Sequence, residues 1–288
     1  MKLTDLAVVL LINLVWGLTF IAGKVGLNEL PPVWFTGLRF AMLLVVLAPL
    51  LRWVPTQMPR VIAASLFCGA LHFSLQYTAL KMAEDVSTIA IVSQLTLPFA
   101  VILAMVMLGE RLSRVRAFGT AAAFAGVVVI GFDPRVFGYG TAVVLCALAC
   151  LSMALAQVLM RGLRNVPVFT LQAWVALISA PSLLGLSLIF ESGQAEMTRA
   201  ASLFTWANLA FTAFGSSLLG FGGMYYLLKR YPVSLVTPMF LLAPVIGVIA
   251  GVILLGDVVT ARILLGAAIT LAGVLAVAWT PRAKPAQE

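Results

Sequence analysis

The sequence holds a single histidine, His72, three cysteines and few charged side chains: only 10% of its 288 residues are Asp, Glu, Lys or Arg. Soluble globular domains carry roughly a quarter charged residues, so a chain this poor in charge cannot clothe a water-facing surface. The cysteines (Cys68, Cys146, Cys150) are odd in number and lie inside apolar runs. They give neither a disulfide framework nor a metal-ligand spacing, and read as small packing residues. One histidine, with no acidic residue inside any apolar run, excludes the Asp pairs, His-rich metal sites and Ser–His dyads of intramembrane enzymes. No Walker motif or Gly-rich dinucleotide loop is present, so no nucleotide, metal or other cofactor is implied. The net charge of +8 points to loop placement at a membrane, not to nucleic acid.

What is present is hydrophobicity: 62% of the residues are hydrophobic and the mean hydropathy is +1.11. Ten stretches approach the ~20 apolar residues needed to cross a bilayer: 6–23, 30–51 (interrupted only by Arg39), 61–80, 86–109, 117–132, 136–160, 165–190, 200–228, 231–256 and 263–281. They are apolar on all sides, unlike the alternating strands of a membrane β-barrel. Lys2 precedes the first run, but that run is longer than a signal-peptide core, so it reads as a retained span. With the N-terminus cytoplasmic, twelve Lys/Arg residues fall inside and five outside (Lys24, Lys81, Arg135, Arg199, Arg262). This predicts cytoplasmic termini.

Landmarks recur. Gly109, Glu110, Gly119 and Gly126 match Gly256, Asp257, Gly266 and Gly273, each pair 147 residues apart. Tyr77-x-x-Leu80-Lys81 matches Tyr225-x-x-Leu228-Lys229, and Pro98 matches Pro244. The predicted fold is therefore an all-α integral membrane protein of ten transmembrane helices in two five-helix repeats, 1–135 and 136–288. Five is odd, so the copies are inverted, which is the architecture of alternating-access carriers.

The segments Val15-Trp16-Gly17, Lys24-Val25-Gly26, Pro31-Pro32, Gly37-Leu38-Arg39-Phe40 and Leu108-Gly109-Glu110-Arg111-Leu112, with Leu255-Gly256-Asp257 as its second copy, resemble EamA-type members of the drug/metabolite transporter superfamily. Here Asp257 replaces the usual Glu, and Ser152-Met153 stands where that family often has Trp. The resemblance implies export of amino acids or related metabolites from a bacterial cytoplasmic membrane. Nucleotide-sugar or drug carriage, or a non-transporting assembly subunit, are the alternatives. The implied partners are a small-molecule substrate and membrane lipids. The oligomeric state stays open, a monomer being sufficient.

Candidate substrate-binding residues are polar or aromatic groups inside spans. Arg39, a full charge within the second run, either receives a substrate carboxylate or acts as a snorkelling structural clamp. His72 and Gln76 share one helix face with Tyr77 beside them, forming either a binding patch or an interhelical bond cluster. Gln94, Trp16, Gln157 and Tyr225 complete the set. Pro98 and Pro244 are expected to free the carbonyls of Gln94 and Phe240 and to serve as hinges. Glu110 and Asp257 are each expected to cap the helix that follows. The absence of a buried acid points to facilitated transport or exchange, or to coupling through His72.

Overall fold

In lipid every backbone N–H and C=O must be satisfied within the chain, so apolar runs of this length become helices. The computed structural model describes residues 2–109, 113–228, 230–231 and 239–279. Its principal helices among these residues are α1 (Leu3–Gly26), α2 (Pro32–Leu50), α3 (Met58–Met82), α4 (Val86–Met107), α5 (Arg114–Gly131), α6 (Gly140–Arg161) and α7 (Val168–Phe190). They are followed by α8 (the unbroken run 203–228), α9 (Leu242–Leu255) and α10 (Ala261–Trp279). Eight of them, α1 to α7 and α10, are long and apolar enough to cross a membrane. α8 is free of charge but distorted, and α9 is a shorter apolar helix.

The helix ends follow local chemistry. Asp85, Ser113 and Ser202 cap α4, α5 and α8 by accepting backbone N–H bonds from Thr88, Arg116 and Thr205. Gly109 and Gly256 close α4 and α9 in the left-handed region, at φ 65° and 72°, where a side chain would be strained.

Several helices are irregular, α9 among them with a π turn at Gly251–Leu255. α3 widens into a π turn at Leu66–Leu71, directly before His72, and α8 does so over Phe211–Phe221. α4 tightens to a 3-10 turn at Ser93–Leu95, one turn before Pro98, and there the Gln94 carbonyl, expected to be free, accepts a backbone N–H. Pro244 differs from expectation. It lies in the first turn of α9, where a missing N–H costs little, and the Phe240 carbonyl is not free but accepts from Ala243 N (3.1 Å).

α1 packs against α8 and α9, and α6 packs against α3 and α4. The remaining principal contacts are α2 on α7 and α5 on α10. In the last pair an added Cβ on Gly119 would meet the Gly273 carbonyl, and one on Gly126 the Gly266 carbonyl, at 2.7 and 2.5 Å. Residue numbers rise along α5 as they fall along α10, so these two helices are antiparallel in close backbone contact. α2 and α7 are antiparallel too: Glu191, after α7, meets the start of α2. One end of the bundle gathers Lys24, Lys81, Asp85, Glu191 and Asp257; it is called the acidic end below.

Candidate functional site

Arg39 is the eighth residue of α2, about 10 Å along the helix from its acidic end. It is 1% exposed. Its Nη1 donates to the Tyr77 hydroxyl (3.2 Å), and its guanidinium carbon stands 4.3 Å from the centre of the Phe73 ring. Phe40 and Tyr77 present further rings at 5.6 and 5.8 Å. The aromatic faces offset part of the cost of burying the charge, by about 2 kcal/mol for a desolvated cation. They are no substitute for an anion, and no carboxylate among the described residues bonds this side chain. Its Nε has no hydrogen-bond partner.

One turn along α3 the polar groups face α4 and α6. His72 Nδ1–H donates to the Ala149 carbonyl (2.8 Å). Gln76 Nε2 donates to Ser93 Oγ (2.9 Å), whose own proton goes to the Ile89 carbonyl (2.7 Å). Cys146 Sγ donates to Gln76 Oε1 (3.5 Å), and Cys150 Sγ approaches the Ser93 carbonyl (3.4 Å). Both ends of the Gln76 amide are thus engaged by neighbouring helices. The expected face of His72, Gln76 and Tyr77 forms, and its polar atoms tie three helices together.

The other candidates scatter. Gln94 is half-buried in the 3-10 turn of α4, and its side chain makes no hydrogen bond to the described residues. Trp16 belongs to a separate cluster, where its Nε1–H donates to the Ser216 carbonyl (3.3 Å) and its ring meets Phe221 and Phe240 edge-on. Gln157 is exposed on α6. Tyr225 lies on the last segment of α8, and its side chain is outside the described residues.

The sequence reading did not single out three residues: the buried Ser65 on α3, and the half-buried Gln172 and buried Ser179 on α7. Ser65 Oγ, Ser179 Oγ and both amide atoms of Gln172 are buried without a hydrogen-bond partner. Ser65 and Ser179 are modest residues in apolar runs. Only the i, i+7 spacing of Gln172 and Ser179 could have flagged a polar stripe.

The acidic end is fastened by side chains that answer helix termini. Lys24 Nζ, in the last turn of α1, donates to the carbonyls of Leu80 (2.9 Å) and Ala83 at the end of α3. Lys81 returns the bond to the Leu27 carbonyl at the end of α1. Carbonyls at helix C-termini lack intrahelical partners and carry partial negative charge, which ammonium groups satisfy. At the opposite polarity, Asp257 Oδ2 accepts from Val86 N (3.0 Å), Ser87 N (2.8 Å) and Ser87 Oγ (2.7 Å). This corrects the sequence expectation: Asp257 caps α4, not the helix that follows it, because the fold brings the end of α9 to the start of α4. Glu110 lies outside the described residues. Glu191 caps α2 with both oxygens, on Val33 N and Trp34 N (2.9 Å each).

Two further acids lie in loops. Glu29 accepts from Ser202 N (2.6 Å) and Ser202 Oγ (2.9 Å), and the backbone bond holds its pKa below the ordinary 4.5. Asp133 accepts from Thr260, the N-cap of α10, which lowers its pKa from 3.8. Tyr139 donates to Asp85, and burial together with that bond raises its pKa.

A bundle of long apolar helices, closed on itself by backbone bonds and side-chain caps, with a lone arginine in its interior, defines a multi-pass α-helical membrane protein. Comparison with known proteins gives the family. The EamA-like transporter family matches the chain twice, over residues 4–132 and 140–279. The chain belongs to that family of membrane transporters. It is 32% identical over 279 residues to a probable amino-acid metabolite efflux pump of Salmonella typhimurium, covering 92% of this chain and 91% of the other. A probable amino-acid metabolite efflux pump of Escherichia coli is 30% identical over 288 residues, with 95% and 94% covered. A crystal structure 20% identical in sequence superposes with a TM-score of 0.63 over 96% of each chain, which shows the shared fold.

Proposed function

We propose that the protein is a secondary carrier that exports amino acids or related small metabolites across a bacterial cytoplasmic membrane by alternating access. Its ten helices form two inverted repeats, 1–135 and 136–288, with both termini cytoplasmic and the acidic end outside. The observation that carries this reading is the antiparallel glycine contact of α5 with α10. Gly119 and Gly126 are the 147-residue counterparts of Gly266 and Gly273, and each pairs with the other's counterpart. Exchanging the halves leaves the contact unchanged, as a two-fold axis in the membrane plane requires.

The rest of the packing supports the same exchange: α1 on α8 and α9 answers α6 on α3 and α4, while α2–α7 and α5–α10 map onto themselves. The bonds that join the α1/α8/α9 group to the α3/α4/α6 group through charged side chains (Lys24, Lys81, Asp257) lie at the acidic end. The structure then corresponds to a state closed outside. Opening that end while the cytoplasmic end closes moves the interior residues from one compartment to the other. The irregular turns of α3 and α4 beside His72 and Pro98 supply the bending points. The named relatives bring the substrate class, amino-acid metabolites.

The test is counterflow. Proteoliposomes loaded with amino acids should accumulate the same labelled amino acids from outside, without ATP or an imposed ion gradient. No flux above protein-free vesicles for any amino acid would remove the reading.

A further inference from the structure

Arg39 Nε, Ser65 Oγ, Ser179 Oγ and both amide atoms of Gln172, which have no hydrogen-bond partner among the described residues, lie in one region, apart from Asn13 on α1 and Thr120 on α5. Ser65 lies one turn before Gly69 on the same face of α3, where an added Cβ on Gly69 would fall 1.8 Å from Ser179 Oγ and 2.9 Å from Val175. Gln172, Val175 and Ser179 follow one another at i, i+3 and i+7, so they form one stripe of α7. α3 and α7 both end at the acidic end and are therefore parallel. Ser65, four residues before Gly69, then faces the turn of α7 that carries Gln172. Arg39 stands over the same seam. Gly37 packs on Leu184, with an added Cβ 3.1 Å from that residue's backbone nitrogen, and the guanidinium rests on Phe73, one turn beyond Gly69. At 1.5 Å per residue on antiparallel α2 and α7, Arg39 and Ser179 are separated by about 5 Å along the axis. Gln172 lies about 10 Å farther toward the basic end.

We propose that this seam between α2, α3 and α7 is the binding site for an α-amino acid with a polar side chain. It rests on the carrier reading above and supplies its substrate class. Arg39 receives the carboxylate, presenting the Nε that has no partner among the described residues. Ser179 Oγ, about one amino-acid head group away, accepts from the ammonium. Ser65 Oγ and the Gln172 amide meet the side chain, the amide offering a donor and an acceptor together. Ser65 and Ser179 are 0% exposed and Arg39 is 1% exposed. Buried polar atoms left without partners are costly, and a ligand that satisfies them gains what their desolvation lost.

The test uses the full chain in proteoliposomes. Counterflow is measured with an equimolar mixture of serine, threonine, asparagine and glutamine, and with the amides that lack the α-carboxylate. The acids should exchange and the amides should exchange at least about tenfold more slowly, the cost of leaving Arg39 unpaired. Gln172→Leu should slow asparagine and glutamine about tenfold, and Ser179→Ala should slow all four amino acids. Arg39→Gln should abolish the preference for acids over amides. If that variant does not fold, Arg39→Lys, which keeps the charge without the fork, should weaken the preference. Equal exchange of acids and amides by the parent, or unchanged profiles in Gln172→Leu and in the folded Arg39 variant, would overturn the site while leaving the carrier intact. Absence of all exchange would instead count against the carrier.

Discussion

Removing the Asp257 carboxylate should open the outer end of the carrier. All three of its bonds to the start of α4 converge on one oxygen, at 2.7 to 3.0 Å. In Asp257→Ala the Ser87 hydroxyl retains a long contact with the Val248 carbonyl (3.5 Å), whereas the amides of Val86 and Ser87 lose their partner. Hydrogen bonds to a charged group are worth ~1.5–3 kcal/mol each. Asp257 is half-exposed, so the lower figure applies, and two lost bonds amount to about 3 kcal/mol. That loss falls only on the outside-closed state, because the bonds join groups that separate on opening. At 1.4 kcal/mol per tenfold, the ratio of open to closed should rise about a hundredfold. Ala90 provides the readout: it is fully buried and faces Gly247 of α9 across this junction. An Ala90→Cys chain also carrying Cys68→Ser retains only Cys146 and Cys150, both buried. A membrane-impermeant maleimide added from outside should label it slowly, and much faster when Asp257→Ala is added. Equal labelling rates in the two backgrounds, with melting temperatures matched in detergent, would refute the latch.

Other substitutions probe the remaining joints. Gly126→Ala puts a methyl group 2.5 Å from the Gly266 carbonyl, and Gly273→Ala puts one 2.5 Å from the Gly119 carbonyl; each should lower the melting temperature by an amount matching ~1–3 kcal/mol, the two equally if the halves are equivalent. Gln76→Leu leaves Ser93 and Cys146 without their amide partner and should cost roughly 1–3 kcal/mol in thermal stability. Glu29 has a folded pKa below its ordinary 4.5, so its contribution is complete above 4.5 and lost as the pH falls through the lowered value. The melting temperature of Glu29→Gln should therefore lie below the parent's at neutral pH, and the two profiles should converge as the pH falls below 4.5.

The membrane class was legible because its cause is compositional: a run with no charge over twenty residues has no other stable home. The proposed duplication rests on motifs at helix ends, where Gly109 and Gly256 adopt the positive φ that only glycine takes readily. What could not be read was which helices meet. Asp257 looked like a cap for its own neighbour because adjacent sequence is the only distance a sequence displays. Its real partner is at Val86, brought there by the return of α9 beside α4. The same limit applied inside the spans. His72 and Gln76 stood out as polar, yet their bonds run to the Ala149 carbonyl and to Ser93. Ser65, Gln172 and Ser179 drew no notice because serine and glutamine are common in membrane helices, and their lack of a partner is a property of the packed seam alone.

The electrostatics of the interior bear on what drives transport. Arg39 is held by Tyr77 and Phe73, so at the site proposed above it does not cross with the cargo. A zwitterionic substrate then moves no net charge, and its counterflow should not respond to an imposed potassium diffusion potential. An acidic amino acid accepted at the same site would carry one negative charge, worth about 2.3 kcal/mol per 100 mV, or roughly fiftyfold in its equilibrium distribution. With the cell interior negative, that term favours export. Coupling through His72 gives a different signature, since a proton travelling with or against a zwitterion makes the exchange electrogenic. Measuring serine flux at 0 and at 100 mV separates the two: equal rates identify a facilitator. A potential-dependent rate that disappears in His72→Ala would overturn the electroneutral mechanism and assign the moving charge to the histidine.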